Sequence, residues 1–143
     1  MAFKVLIMGL PGSGKTTLAN TVTEELQKQN YSIKRINADR VREAYEDWDF
    51  SITGRLRQAY RFRDIAENTN DDFVVCDFIA PIPESIQIFR PDYIVWMNTI
   101  TECRFQDTQD LFLDPTEWNY KVTDFKQINT DFLISDILAK SIE

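Results

Sequence analysis

Residues 9–16, Gly9-Leu10-Pro11-Gly12-Ser13-Gly14-Lys15-Thr16, fill every position of the pattern G-x-x-x-x-G-K-[ST]. An apolar run, Val5-Leu6-Ile7-Met8, precedes them, and an amphipathic stretch carrying Leu18, Ala19, Val22 and Leu26 follows. Strand, glycine loop and helix in that order are the context in which the pattern cradles phosphate. Glycines let the loop turn its N–H groups toward phosphate oxygens, and the helix start, with Thr17 beside Thr16, adds the favourable end of its dipole. Lys15 is expected to reach the β- and γ-phosphates and to act in catalysis, and Thr16 to hold Mg²⁺. ATP and Mg²⁺ are therefore the expected cofactors.

The chain contains no histidine. Ser-His-Asp triads, histidine bases and histidine metal sites are excluded, so acid–base work falls to carboxylates, Lys, Cys or Tyr. Cys76 lies in an apolar run, where a reduced buried thiol is the default, and Cys103 has no partner at metal-binding spacing. The formal net charge of −7 argues against a broad basic surface for nucleic acid, while leaving room for a local basic cleft. With 143 residues, 43% of them hydrophobic, a single domain over 1–143 is expected. No apolar run is long enough to span a bilayer. Met1 leads straight into the first strand without a signal-peptide pattern, so a cytoplasmic location is expected.

Periodicity places the elements that must position this chemistry. Strands are expected at Phe3 to Met8, Tyr31 to Ile36, Phe73 to Cys76, Tyr93 to Met97 and Tyr120 to Val122. In the second, alternation of Ser32 and Lys34 against Tyr31, Ile33 and Ile36 is imperfect. Helices are expected at Lys15 to Gln29, Val41 to Glu46, Ser51 to Asn68 and Thr130 to Ser141, with a short one over Thr99 to Phe105. The third would present Leu56, Ala59, Tyr60 and Ala66, and the last Phe132, Leu133, Ile137 and Leu138. Asp39 is a good N-cap for the second. Pro81 and Pro83 break the chain after the third strand. Gln106 to Glu117, with weak periodicity, reads as a mobile loop, a short lid at about 105–117. Strands alternating with helices imply a three-layer α/β fold with a mostly parallel sheet. Ligands in such sheets bind beyond the carboxyl ends of the strands, where the glycine loop, Asn37 to Asp39, Asp77 to Pro81 and Asn98-Thr99 all fall.

An ordered set of motifs downstream resembles the adenylylsulfate kinase family. Asn37-Ala38-Asp39-Arg40-Val41-Arg42 is similar to its D-G-D-x-x-R turn, and Asp47-Trp48-Asp49-Phe50-Ser51 to its D-L-G-F-S segment. Gly54-Arg55-Leu56-Arg57-Gln58-Ala59-Tyr60-Arg61 is similar to its helix opening D-R-x-x-N-x-R-R. Cys76-Asp77-Phe78-Ile79-Ala80-Pro81 looks like a strand ending in I-S-P, and Trp96-Met97-Asn98-Thr99 like one ending in D-T-P. The resemblance runs from about residue 4 to about residue 112. It implies the P-loop NTPase fold, with a five-stranded sheet in the order 2-3-1-4-5. It also implies that Asp39 is the catalytic carboxylate, that Arg42 and Arg55 grip the acceptor's anionic group, and that Phe50 stacks on its base. Gln58, Ile79 and Ala80 complete the implied acceptor site. The chain is similar to the compact family members found in phages.

Departures from the family pattern are local. Asn37, Gly54, Gln58 and Ala80 replace Asp, Asp, Asn and Ser. In the lid, Gln109 stands at the lysine position and Gln106 at the arginine position, and Arg104 is close enough to take a phosphate contact. Asp77 has no family counterpart and suits Mg²⁺ held through water, or a turn cap before Phe78. Read on their own, Asp39 is as good a helix cap as a base, Phe50 beside Trp48 is more often core, and the helix arginines are more often an acid-paired surface.

The expected function is ATP-dependent phosphoryl transfer to a hydroxyl of a small anionic nucleotide-like acceptor, first adenylylsulfate at its 3′-hydroxyl. The alternatives are another acceptor (a nucleoside, a nucleotide or a modified base in DNA) and a nucleotide-binding module with little turnover. No membrane partner is expected, nucleic acid is disfavoured by charge, and a homodimer is left open.

Overall fold

Strand β1 (Phe3–Gly9) has almost no polar side chain and is buried on both faces, so it needs neighbours on either side. In the structure, a computed structural model describing all 143 residues, β1 pairs in parallel with β3 (Phe73–Asp77) and with β4 (Tyr93–Met97). Parallel β2 (Ile33–Asn37) adds to β3, and parallel β5 (Tyr120–Val122) adds to β4. The five strands lie in the order β2-β3-β1-β4-β5, as expected from the sequence.

Alternate side chains of β1 feed two cores. Val5 and Ile7 join Val75, Val95 and Tyr93 against α1 (Lys15–Lys28) and the C-terminal helix (Thr130–Ser141). Leu6 and Met8 join Val74, Cys76 and Trp96 against α2 (Ala38–Tyr45), α3 (Ile52–Glu67) and α4 (Pro83–Phe89). Burial raises the Cys76 thiol pKa, and both cysteines are free. No helix is long and apolar enough to cross a membrane.

Several expectations about elements are corrected. Asp39 is not the cap of α2: Asn37 is, its Oδ1 accepting from the Arg40 N–H at 3.1 Å, which leaves Asp39 in the first turn. Pro81 and Pro83 do not simply end structure, because Pro83 opens α4, where a missing N–H costs nothing. Thr99 to Phe105 is not helical; the helix lies one segment later, as α5 (Gln106–Leu111), inside the stretch expected to be a loop. The C-terminal helix is therefore α6. Tyr60 and Phe132 are exposed, and Phe62 and Ile134 take the core positions of α3 and α6.

All the strands run in one direction, so the glycine loop, Asn37, Asp77 and Asn98 reach the same edge of the sheet. That edge carries the site.

Candidate active site

The glycine loop is held from below by a close approach. A side chain on Gly9 would meet the Met97 carbonyl oxygen at 2.6 Å and Ser13 Oγ at 2.8 Å. Gly14, at φ 99°, is the αL N-cap of α1, and a side chain there would strike the Phe125 ring at 2.8 Å. The Thr99 hydroxyl donates to the Ser13 carbonyl at 2.8 Å, pinning the loop to the end of β4. Lys15 Nζ donates to the Leu10 carbonyl at 2.9 Å, so the ammonium curls back over its own loop. Burial lowers its pKa to about 8, against the charges of Asp77 and Asp39, which act to raise it. Thr16 Oγ1 donates to Asp77 Oδ2 at 2.8 Å.

A cavity of about 420 Å³ opens in front of this loop. Lys15, Thr16, Asp39, Arg42, Phe50, Arg55, Gln58, Asp77, Ile79, Ala80 and Arg104 all line it, with Pro11 and Gly12. Gly9, Leu10, Ser13, Gly14 and Thr17 form the loop and helix start behind that wall and do not line it. Asp39 is exposed, and no side-chain hydrogen bond occupies its carboxylate. Its charge is felt at Lys15.

The far wall is built by arginines that also shape it. Arg42 Nη1 donates to the Asp47 and Asp49 carbonyls at 2.9 and 3.2 Å, and its guanidinium lies 4.3 Å from the Phe50 ring centre. Arg55 Nε donates to the Phe50 carbonyl at 2.8 Å, and its Nη2 to Thr108 Oγ1 at 2.8 Å. Both are buried, which lowers their pKa values, and a guanidinium stays charged nevertheless. Each keeps unused N–H donors, since a guanidinium has five. Gln58 Nε2 donates to the Ala38 carbonyl, tying α3 to the turn that carries Asp39. Phe50 is half-exposed beside Trp48 rather than in the core. Arg57 and Arg61 bind Asp47 and hold its carboxyl well below the usual range, so part of the arginine row does pair with acids.

Gly54 explains one departure from the family pattern. Segment 47–51 lies so close to α3 that a side chain at Gly54 would collide with the Asp49 carbonyl oxygen. The Ser51 hydroxyl caps the helix by accepting from the Gly54 N–H.

The lid is not a loose loop. Helix α5 is tied to α3 through the Arg55–Thr108 bond, and the Leu113 N–H reaches the Pro81 carbonyl at 2.7 Å. Gln109 turns away from the cavity, accepts from the Cys103 N–H, and lines a separate hollow with Trp96 and Phe112. Gln106 bonds Asp110 on the surface. The cation that the lid brings to the cavity is Arg104, over the Phe105 ring at 4.9 Å.

Trp48, Phe105, Thr108 and Ser85 line the cavity without having been expected there. Arg35 was also missed, although it bonds Asp77 Oδ1 at 2.5 Å. Its signal was the broken alternation of β2. Ala80, at φ 50° and directly before Pro81, holds a backbone conformation that non-glycine residues rarely adopt.

No cluster of three or more acidic, Cys or His side chains is present to hold a metal by itself. One hydroxyl and one carboxylate side by side, beside a phosphate-binding loop, fit Mg²⁺ that keeps most of its water and shares nucleotide oxygens.

The profile of the adenylylsulphate kinase family matches residues 1–119. The chain belongs to the adenylylsulfate kinase family. A probable adenylyl-sulfate kinase of Aeropyrum pernix is 35% identical over 89 residues, covering 60% of this chain and 49% of that one. The adenylyl-sulfate kinase of Halothermothrix orenii is 31% identical over 116 residues, covering 76% and 63%. The chain spans about half the length of the curated relatives it matches. A solved structure of the Mycobacterium tuberculosis APS kinase in complex with AMPPNP and APS superposes with a TM-score of 0.78, at 19% identity, over 99% of this chain and 98% of that one. At that identity the likeness is one of fold. The comparisons support the family and no particular subgroup within it.

Gly54→Ala is expected to destabilise this adenylylsulfate kinase-family chain by about 1–3 kcal/mol, the usual cost of overpacking, despite alanine's better helix propensity. Urea denaturation measures it; wild-type stability would mean that segment 47–51 does not rest on α3 as described.

The lowered Lys15 pKa also has a definite sign. Below about pH 8 the ammonium is charged in folded and unfolded chains alike. Between about 8 and the usual 10.5, the unfolded chain keeps a proton that the folded one has lost, so Lys15 makes folding more favourable as pH rises. Phosphate needs the charged form, so ADP affinity should fall about tenfold from pH 7 to pH 9. Calorimetric titration at both pH values checks this, with Lys15→Arg as the variant that should flatten the dependence.

Proposed function

We propose that the chain is an ATP-dependent kinase that transfers the γ-phosphoryl group to a hydroxyl of a small, anionic, nucleotide-like acceptor. Adenylylsulfate is the first candidate, phosphorylated at its 3′-hydroxyl to give 3′-phosphoadenylylsulfate and ADP. One observation carries the reading: a single cavity has the phosphate loop with Lys15, Thr16 and Asp77 in its wall together with Arg42, Phe50 and Arg55. The kinship with the adenylyl-sulfate kinase of Halothermothrix orenii supports the same acceptor.

In this reading Lys15 and the loop hold the β- and γ-phosphates; Thr16, and Asp77 through water, would hold Mg²⁺, which when bound would supply charge neutralisation at those phosphates. Arg104 approaches the phosphates from the lid. Spare N–H donors on Arg42 and Arg55 take the acceptor's anionic oxygens, and Phe50, with Trp48 and Phe105 nearby, takes its ring. Gln58, Ile79 and Ala80 shape the floor. Asp39, with no hydrogen bond to occupy its carboxylate, accepts the hydroxyl proton as the oxygen attacks phosphorus and the bond to the β-phosphate oxygen breaks. A cytoplasmic site of action fits two unpaired cysteines.

The deciding assay follows ADP release from ATP and Mg²⁺ with adenylylsulfate, nucleosides, nucleotides and short DNA as acceptors. Turnover with adenylylsulfate is expected. Turnover only with another acceptor would leave the chemistry standing and change the substrate, and nucleotide binding without turnover would leave a binding module. Asp39→Asn should lower kcat by about a hundredfold or more while leaving ATP affinity and melting temperature unchanged. Stability should hold because Asn37, not Asp39, caps α2. An unaltered kcat would reduce Asp39 to a bystander.

A further inference from the structure

Asp77 is 3% exposed at the carboxyl end of β3, and a buried carboxylate is costly unless paired. Its two oxygens are divided between two partners. Oδ2 accepts from Thr16 Oγ1 at 2.8 Å, and Oδ1 accepts from Arg35 Nη1 at 2.5 Å. Arg35 comes from the neighbouring strand, where it stands opposite Val75, two residues before Asn37, the partner of Asp77. The same guanidinium is fixed by the Ile36 carbonyl at 2.6 Å, and its Nε reaches Asn20 Oδ1 at 3.4 Å. Asn20 lies one turn beyond Thr16 on α1. One side chain thus spans β2, β3 and the helix that carries Thr16.

We infer that Arg35 is a positioning residue: it holds Asp77 so that Oδ2 faces Thr16, and through Asp77 it sets how strongly Mg²⁺ strengthens nucleotide binding. The inference rests on the nucleotide–Mg²⁺ reading above. Without Arg35 the carboxylate would be buried with one hydroxyl donor and free to rotate. With it, one oxygen is committed to the sheet and the other is left for the hydroxyl, or for a water on a cation that the hydroxyl holds. The pair is also neutral overall, so the cation gains little from the protein alone and binds together with the nucleotide phosphates. Arg35 does not line the cavity.

Calorimetric titration of ADP into the full chain, with Mg²⁺ and separately with EDTA, gives the ratio of the two dissociation constants. Arg35→Gln and Asp77→Asn should each lower that ratio about tenfold, the effect of losing one charge-assisted contact, and Arg35→Lys should restore most of it. If Arg35 acts through Asp77, the double variant should match Asp77→Asn alone. The double variant leaves no unpaired buried charge, so a further loss in it can be read even if Arg35→Gln does not fold, and Arg35→Lys, which keeps the charge, then carries the comparison with wild type. A wild-type ratio in Arg35→Gln, or a further loss in the double variant beyond Asp77→Asn, overturns the inference while the nucleotide reading stands. A wild type whose ADP affinity ignores Mg²⁺ overturns the metal reading itself, and this one with it.

Discussion

The approach of Gly9 to β4 is the constraint on which the rest of the structure depends. A strand buried on both faces must release the chain at its carboxyl end without a side chain, because the Met97 carbonyl occupies the space a Cβ would need. Only then can the loop fold back under Ser13 and deliver Lys15 and Thr16 to the start of α1. The Thr99 hydroxyl on the Ser13 carbonyl fixes the same junction from the other side. The loop is therefore fixed where it meets the sheet.

The opposite wall is organised by a different principle. Arg42 and Arg55 are buried cations whose first partners are backbone carbonyls of segment 47–50. Those carbonyls offset the cost of burying the guanidinium groups and hold Phe50 at the cavity mouth. Each arginine both shapes the wall and offers spare donors to a ligand, so truncating it to alanine would confuse the two roles. The Arg55–Thr108 bond also joins α3 to the lid. Changes at α3 are thereby felt by α5, and the lid is part of the wall rather than a flap over it.

Charge in the site is arranged in pairs between neighbouring strands and helices rather than along one element. Asp77 is balanced by Arg35 across two strands, and Asp47 by Arg57 and Arg61 across the segment–helix boundary. Asp39 and Asp107 are carboxylates in the cavity wall that no such partner engages, and the charge of Asp39 is the one felt at Lys15.

The phosphate loop and the parallel sheet followed from sequence alone, because a continuous apolar run, a glycine pattern and an amphipathic helix are local signals, and the strand order came with the family resemblance. The strand-end part of the cavity wall was also legible, since strand ends in a parallel sheet converge whatever the details of packing, while Arg42, Phe50, Arg55 and Gln58 were expected only through the family resemblance. What only the tertiary structure decided were the partnerships. Asn37 and Asp39 are both capping types two residues apart, and backbone angles chose the first. Gln109 stands at the position of the family's lid lysine, but the short helix α5 turned it toward Cys103 and a different hollow. Arg35 looked like a flaw in an alternating strand, and it became the partner of Asp77 once β2 and β3 lay side by side. Local pattern fixes where the chain turns and which side chains are apolar. Which charge meets which across 42 residues of sequence is set by strand register and helix packing, and no window along the chain contains both partners.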